Sequence, residues 1–152
     1  MDDASAPADP NLGLLLYIPY RYLESGVMEA LRAHGHDLPL NQARVFQRIS
    51  PEGSRLAELA EAAQLPKQTV GSIIDQLEAA GYVQRSIDPQ DARARLVSIT
   101  PRGQQLIEIS LPVLHDVEAA WRAHLGARRT LQLKEALTAL REITDPFLRP
   151  KA

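Results

Sequence analysis

The chain has 152 residues, of which 45% are hydrophobic, so it can bury the core of one domain of ordinary size. Its formal net charge of -2 argues against a generally basic nucleic-acid binder, although local clusters of charge still act over short distances. The sequence contains no cysteine, which excludes disulfides, thiolate metal sites and oxidant sensing through a thiol.

The first ten residues are acidic and carry little apolar surface, so we predict a disordered tail over residues 1–10. They lack the basic-then-apolar pattern of a secretory signal, and no apolar run approaches the length that spans a bilayer. We therefore expect a cytoplasmic protein.

Two helices are predicted before the middle of the chain. The first begins near Asn11 or Leu12 and runs to about Ala33, with a kink expected at Pro19, which removes one backbone hydrogen bond. The second spans residues 40–49, and its inward side chains are predicted to be Ala43, Phe46 and Ile49.

The stretch from Arg55 to about Ala80 predicts two short helices separated by a break at residues 64–66. Apolar residues recur at the α-helical period in both, which gives each helix one face that must pack on a core. These are Leu56, Leu59, Ala60 and Ala63 in the first and Val70, Ile73, Ile74 and Leu77 in the second. The opposite face of the second helix is polar and carries Lys67, Gln68, Thr69, Ser72 and Gln76.

A β-hairpin is predicted next, because residues 82–87 and 96–99 alternate at period two around the turn residues 88–91. Gly81 stands where a helix end favours positive φ, and residues 92–95 are expected near the hairpin tip. Between Ala92 and Gly103 the chain carries three arginines and no acidic residue, so a basic patch is predicted on the hairpin.

Two more helices are predicted to complete the chain. Thr100 and Pro101 suit the start of a long helix that ends at Gly126 and bends at Pro112, and Thr130 is expected to cap the last helix. The terminal helices carry more apolar surface than one small domain can cover. We therefore expect them to pack against a second copy of the chain.

The order and spacing of these elements resemble the multiple-antibiotic-resistance regulator (MarR) family of dimeric transcription factors. The resemblance is close over the central third, LAELAEAAQLPKQTVGSIIDQLEAAGYVQR, and looser over residues 12–148. Its most specific part is the hairpin, where DARARLVSITPRG is similar to the family signature. The resemblance implies a mainly α fold with a small β-hairpin, in which a winged helix-turn-helix is flanked by dimerisation helices.

The resemblance also implies a function. It predicts a homodimer that represses transcription by binding a palindromic DNA operator and that is released by a small anionic aromatic effector. The winged part would span about residues 38–100, and the dimerisation helices about residues 11–34 and 101–148, within a single domain of residues 11–152. The DNA contacts implied are Lys67, Gln68, Thr69, Ser72 and Gln76 on the second short helix, with Arg93 and Arg95 on the wing.

Several alternatives stay open at the level of sequence. The alternative interpretation of the polar helix face is a solvated surface, and that of the wing arginines is a solvent-exposed turn. The alternative for the whole chain is a dimerisation or interaction module that binds no DNA. An effector pocket would be lined by Tyr17, Tyr20, Arg21, His115 and Trp121, although aromatics at helical spacing more often fill a core.

No enzyme, cofactor or metal site is expected. The sequence shows neither a glycine-rich phosphate loop nor a nucleophile elbow, nor paired carboxylates in an apolar setting. The four histidines, of which His34 and His36 are two, do not have the spacing of a zinc site and are interpreted as surface residues.

Overall fold

The computed structural model describes residues 9–148, and the predicted tail lies almost wholly outside the described residues. It confirms a mainly α-helical fold with one small antiparallel sheet. The elements in order are α1 (Leu12–Ala33), α2 (Leu40–Phe46), β1 (Ser54–Arg55), α3 (Leu56–Ala63), α4 (Lys67–Ala79), β2 (Val83–Asp88), β3 (Asp91–Ile99), α5 (Pro101–Leu125), α6 (Ala127–Thr144) and a 3₁₀ turn (Pro146–Leu148). We refer to residues 40–99 as the winged unit and to α1, α5 and α6 as the outer helices.

Helix α1 begins where the sequence predicts. The Asn11 side-chain oxygen accepts a hydrogen bond from the Leu14 N–H at 2.9 Å, which satisfies one of the free donors of the first turn. The helix remains continuous through Pro19 as far as Ala33, and Gly35 follows with a φ of 83°.

Helix α2 is shorter than predicted and ends at Phe46. The N–H groups of Arg48 and Ile49 bond to carbonyls three residues back, at 3.0 and 3.1 Å, so the backbone tightens into a turn rather than continuing as an α-helix. Phe46 and Ile49 are nevertheless buried as predicted, and Ala43 is half-buried against the core.

The sheet has three strands in the order β1-β3-β2. The two-residue strand β1 is absent from the sequence prediction and pairs Ser54 with Val97 and Arg55 with Leu96. Strands β2 and β3 form the predicted hairpin, which we call the wing.

The core lies inside the winged unit and extends to the start of α5. Its completely enclosed side chains come from α2, α3, α4, the sheet and α5, and include Val45, Leu59, Val70, Ile74, Leu77, Val97 and Leu106. These elements therefore fold around one apolar centre, whose inward residues on α3 and α4 follow the predicted helical period.

The start of α5 packs directly against the base of the wing. Thr100 accepts a hydrogen bond from the Gly103 N–H at 3.1 Å, which confirms it as the N-cap, and Pro101 is the first helical residue. A Cβ atom on buried Gly103 would collide with the Tyr82 carbonyl oxygen and lie 2.8 Å from Ile99 Cγ2. Only glycine fits this close approach of helix and strand.

The last helix starts earlier than predicted. Gly126, with a φ of 85°, separates α5 from α6, and α6 begins at Ala127. Thr130 is not its cap, because the Thr130 hydroxyl donates to the Gly126 carbonyl at 2.9 Å from inside the first turn.

The outer helices leave a large apolar surface exposed. Along the described length of α6 no residue is buried, and the first two turns of α1 are exposed throughout. The exposed apolar side chains include Leu14, Leu15, Leu16 and Ile18 on α1 and Leu131, Leu133, Leu137, Leu140 and Ile143 on α6. No helix among the described residues is long and apolar enough to cross a membrane.

Candidate nucleic-acid interface

Helix α4 presents one apolar and one polar face. Its buried residues are those of the predicted stripe, so the opposite face points away from the core. All five predicted contact residues, Lys67, Gln68, Thr69, Ser72 and Gln76, are exposed on α4.

The beginning of α4 is open. Its N-cap is Pro66, which makes no side-chain capping bond, so the first-turn N–H groups are left to solvent. Gln64 precedes this turn in the left-handed conformation, with a φ of 56°. Free N–H groups and the positive end of the helix dipole make such a terminus suited to an anionic group such as a DNA phosphate.

One predicted contact residue is partly engaged within the protein. The Gln76 side-chain oxygen accepts a hydrogen bond from buried Gln42 on α2 at 2.8 Å. Its amide nitrogen can still donate to a partner, and its oxygen keeps one further acceptor position.

Arg85 on β2 offsets one of the two negative charges at the acidic end of α4. Its guanidinium lies 2.7 Å from a carboxylate oxygen of Asp75 and 3.0 Å from one of Glu78, and its backbone N–H donates to Glu78 at 2.8 Å. Without Arg85, two carboxylates beside the polar face would repel phosphate groups. The contact also fixes α4 relative to the wing.

The tip of the wing differs from the prediction. Asp88 pairs with Asp91, so the closing turn is Pro89–Gln90, and residues 92–95 belong to strand β3. Because Ile87 pairs with Arg95 next to the Asp88 pair, residues 92–94 have no register partner and form an irregularity beside the turn. Strict alternation therefore does not fix the relative direction of the Arg93 and Arg95 side chains.

The wing arginines are available to a partner. Arg93 and Arg95 are exposed, and neither guanidinium forms an ion pair with any residue in the range 9–148. Asp91 accepts a hydrogen bond from the Arg93 backbone N–H at 3.0 Å, so it restrains the chain rather than the guanidinium.

An ion pair between partly exposed Arg55 and buried Asp88 anchors the wing. Arg55 lies 2.7 Å from a carboxylate oxygen of Asp88, which is buried and also accepts from the Gln90 N–H at 2.9 Å. Both hydrogen bonds lower the pKa of Asp88, and the one from the Gln90 N–H contributes more than the one from Arg55. The wing turn is thus held against the beginning of α3.

Comparison with known proteins assigns the chain to a family. Residues 36–94 match the model of the MarR family. The HTH-type transcriptional repressor Rv2887 of Mycobacterium tuberculosis is 31% identical over 132 residues, which cover 87% of this chain and 94% of the relative. This chain belongs to the MarR family. It is a transcriptional regulator with a DNA-binding winged helix. Its relatives in the MarR family are transcriptional regulators and not enzymes.

Solved structures agree with this assignment. The M. tuberculosis MarR family protein Rv2887, solved in complex with p-aminosalicylic acid, is 29% identical with a TM-score of 0.60, covering 86% of this chain and 98% of that chain. The solved structure of MarR has a TM-score of 0.72 at 22% identity, covering 91% and 94% of the two chains, and thus shares the fold.

The residues predicted for an effector site in this MarR-family regulator are only partly brought together. Tyr17, Tyr20 and Trp121 line an open apolar pocket of about 800 Å³ between α1, α5 and α6, whereas Arg21 and His115 are not among its lining residues. Arg21 instead pairs with Glu24 on the same helix. Leu16, Leu133 and Leu137 line the same pocket, which makes it continuous with the exposed apolar surface of the outer helices.

The histidine interpretation is wrong at one position. His36 is buried, with its Nδ1 atom 2.9 Å from the Tyr82 hydroxyl, while His34 is exposed. The pKa of His36 is lowered mainly by its burial, and to a smaller extent by the nearby charges of Arg102 and His34. Among residues 9–148 no group of three or more His, Cys, Asp or Glu side chains is arranged to hold a metal ion.

Two supporting residues of the interface escape sequence reasoning. Arg85 and Arg55 act through carboxylates that lie seven to 33 positions away in the chain. A basic residue in the middle of a wing strand that faces an acidic helix end is a weak indication of the role of Arg85. Nothing in the sequence pattern indicates the role of Arg55.

Proposed function

We propose that this regulator is a homodimeric repressor that binds a roughly palindromic DNA operator through α4 and the wing. The observation that carries the proposal is the exposed polar face of α4, which starts at an uncapped helix end and whose two carboxylates are both paired with Arg85. In a winged helix-turn-helix, this helix enters the major groove, and the centres of two half-sites lie about one turn, ~34 Å, apart.

Base reading is assigned to the first turns of α4. Gln68, Thr69 and Ser72 are exposed there, outside the apolar stripe. A glutamine amide can donate to and accept from one adenine edge at once, which gives it discrimination between bases.

Replacing Gln68 with Ala is expected to change the preferred base at one position of each half-site by ~1–3 kcal/mol. Selection of bound duplexes from fragmented host DNA, followed by sequencing, measures the preference of each variant. Gln105→Ala, at an exposed position on α5, is the matched control and should return the parent motif. An unchanged motif for Gln68→Ala would contradict base reading by this residue.

The wing is assigned to the neighbouring minor groove. Arginine is less strongly hydrated than lysine, and a narrow A·T-rich groove has a negative potential that favours an inserted guanidinium. The small side chains of Ala92 and Ala94 keep the tip slim beside Arg93 and Arg95.

Arg95→Ala, or Arg93→Ala if that residue is the one inserted, should weaken binding across operator variants. It should also reduce the slope of log affinity against log salt by ~1 per half-site contact, because one phosphate-neutralising charge is lost. Titrations at several salt concentrations measure this slope, with Arg128→Ala on α6 as an exposed arginine control. Parent affinity and slope in both wing variants would show the wing to be a solvated hairpin.

Homodimer formation is supported by the apolar faces of α1 and α6. Both faces carry several exposed apolar side chains, and Leu15 and Leu16 of α1 line the same pocket as Leu133 and Leu137 of α6. A self-complementary contact through these faces would repeat the DNA-reading surface about a two-fold axis, as a palindromic operator requires.

An aromatic acid is the effector class that we include in the proposal. The p-aminosalicylic acid in the structure of the mycobacterial relative is an aromatic carboxylic acid. In this chain Tyr20 borders both the apolar pocket and a groove of about 490 Å³ lined by Arg44, Arg48 and Arg141. A ring would find apolar surroundings on one side of Tyr20. On the other side a carboxylate would share these arginines with Glu24 and with Asp145, which also lines the groove.

A further inference from the structure

The end of α6 meets the winged unit at a buried carboxylate. No residue of α6 is buried along its described length, yet Asp145, which directly follows it, is 7% exposed. A carboxylate taken out of water needs hydrogen-bond donors around it, so the surroundings of Asp145 show what it holds in place.

Two arginines from different parts of the chain surround Asp145. Arg48, in the turn after α2, donates to one oxygen at 2.8 Å, and Arg141 on α6 donates to the other at 2.9 Å. The Phe147 N–H adds a bond of 3.1 Å, and the Arg48 guanidinium lies 4.6 Å from the centre of the Phe147 ring. The site thus joins the end of α6 to the winged unit through Arg48.

Arg48 also contacts the segment that leads into α4. Its Nε atom donates to the Ala62 carbonyl at 3.1 Å. Ala62 lies in the last turn of α3, two residues before the left-handed residue Gln64, which the Leu65–Pro66 break follows. This break sets the direction in which α4 leaves α3, so one guanidinium connects α6 to the geometry of the DNA-reading helix.

We propose that the bridge from Asp145 through Arg48 to Ala62 positions α4 relative to the outer helices, and so sets the spacing of the two α4 helices in the dimer. The inference rests on the proposed homodimer and DNA binding. Arg48 and Asp145 are positioning residues in this proposal, since they act on DNA through the placement of α4.

The charged form of Asp145 suits this role. Burial alone raises the pKa of the Asp145 carboxyl, but the hydrogen bonds from Phe147, Arg141 and Arg48 together outweigh burial and lower it. The carboxylate is therefore ionised at neutral pH and holds both guanidinium groups by charge-assisted hydrogen bonds.

Because the sequence contains no cysteine, one introduced cysteine can carry a spin label at a single known position and report the spacing of the two α4 helices. A spin label on Ala79→Cys, exposed at the end of α4 and outside the assigned DNA contacts, reports the distance between the two α4 helices of a dimer by pulsed electron resonance. Asp145→Asn removes the charge and sets an amide N–H₂ against an arginine donor. Arg48→Lys keeps the charge, but a single ammonium replaces the fork that reaches both Asp145 and Ala62.

Both variants are expected to broaden or displace the distance distribution and to weaken operator binding about tenfold, while the protein remains dimeric in sedimentation. Glu142→Gln, which removes an exposed carboxylate from the same helix, should leave distance and affinity unchanged. Parent-like distances and affinity in both variants would overturn the bridge. The absence of any intermolecular distance in the labelled parent would instead contradict the homodimer itself.

Discussion

Aspartate at both Leu137 and Leu140 is expected to dissociate the dimer and abolish specific DNA binding. The two leucines are 39% and 43% exposed, on a helix without any buried residue along its described length, so their substitution leaves the fold of the single chain intact. Full burial of an exposed leucine is worth about 1.5–3 kcal/mol, so burying the remaining two fifths of each of these leucines contributes roughly 1 kcal/mol, and a symmetric contact contains each residue twice. The variant also forces carboxylates into an apolar interface, which adds a desolvation cost.

Sedimentation equilibrium and operator titration measure the two effects separately. Gln132→Asp with Thr138→Asp adds the same charge to other faces of α6 and should remain dimeric and bind DNA. A parent protein that sediments as a monomer with full operator affinity would contradict the homodimer.

The second large effect is expected at Glu24, a buried carboxylate that links α1 to α2. Arg44 donates two hydrogen bonds of 2.9 Å to it, and Arg21 and the Tyr20 hydroxyl donate further bonds. The hydrogen bonds from Arg44, and then those from Arg21 and Tyr20, outweigh burial and lower the pKa of Glu24 from its usual 4.5 to about 2.

Glu24→Gln should therefore reduce the free energy of unfolding by about 3 kcal/mol at pH 7, the amount that corresponds to this pKa difference. Because the folded-state pKa is depressed, the stabilisation is complete above the unfolded value of 4.5 and is lost as the pH falls toward 2. Urea unfolding at pH 7 and at steps from pH 5 to pH 3 should show the two proteins converging.

The control for this experiment is Glu29→Gln, an exposed carboxylate on the same helix, whose unfolding should follow the parent at every pH. A constant difference between Glu24→Gln and the parent from pH 7 to pH 3 would show that packing, rather than charge, accounts for the loss.

The local features of this fold could be predicted from sequence because they depend on neighbouring residues. Helix α1 begins at Leu12, within the predicted start, Thr100 is the N-cap that the sequence predicts for α5, and the apolar period predicts the buried face of α4. Thr130 was assigned wrongly because a threonine hydroxyl can also bond back to a carbonyl inside a helix, and sequence alone does not separate the two arrangements.

The remainder of the site depends on contacts between distant segments. The Arg48–Asp145 pair spans 97 positions, and the burial of His36 depends on Tyr82, 46 positions away. Strand β1 consists of two residues, too short for any alternation, and exists because β3 offers it an edge. Strand β3 is longer than the apolar alternation of its residues predicts. The extra length comes from backbone pairing with β2, which the side-chain pattern does not show.

The junction at Gly103 behaves as a rigid joint. The Thr100 N–H donates to the Tyr82 carbonyl at 3.1 Å, the Thr100 hydroxyl donates to the Gly81 carbonyl, and the close approach at Gly103 leaves no slack between helix and strand. Rotation of the first turn of α5 must therefore carry the base of the wing with it. These contacts oppose a hinge between the wing and α5 at this point, so in the proposed homodimer any bending that separates the two wings would originate farther along α5.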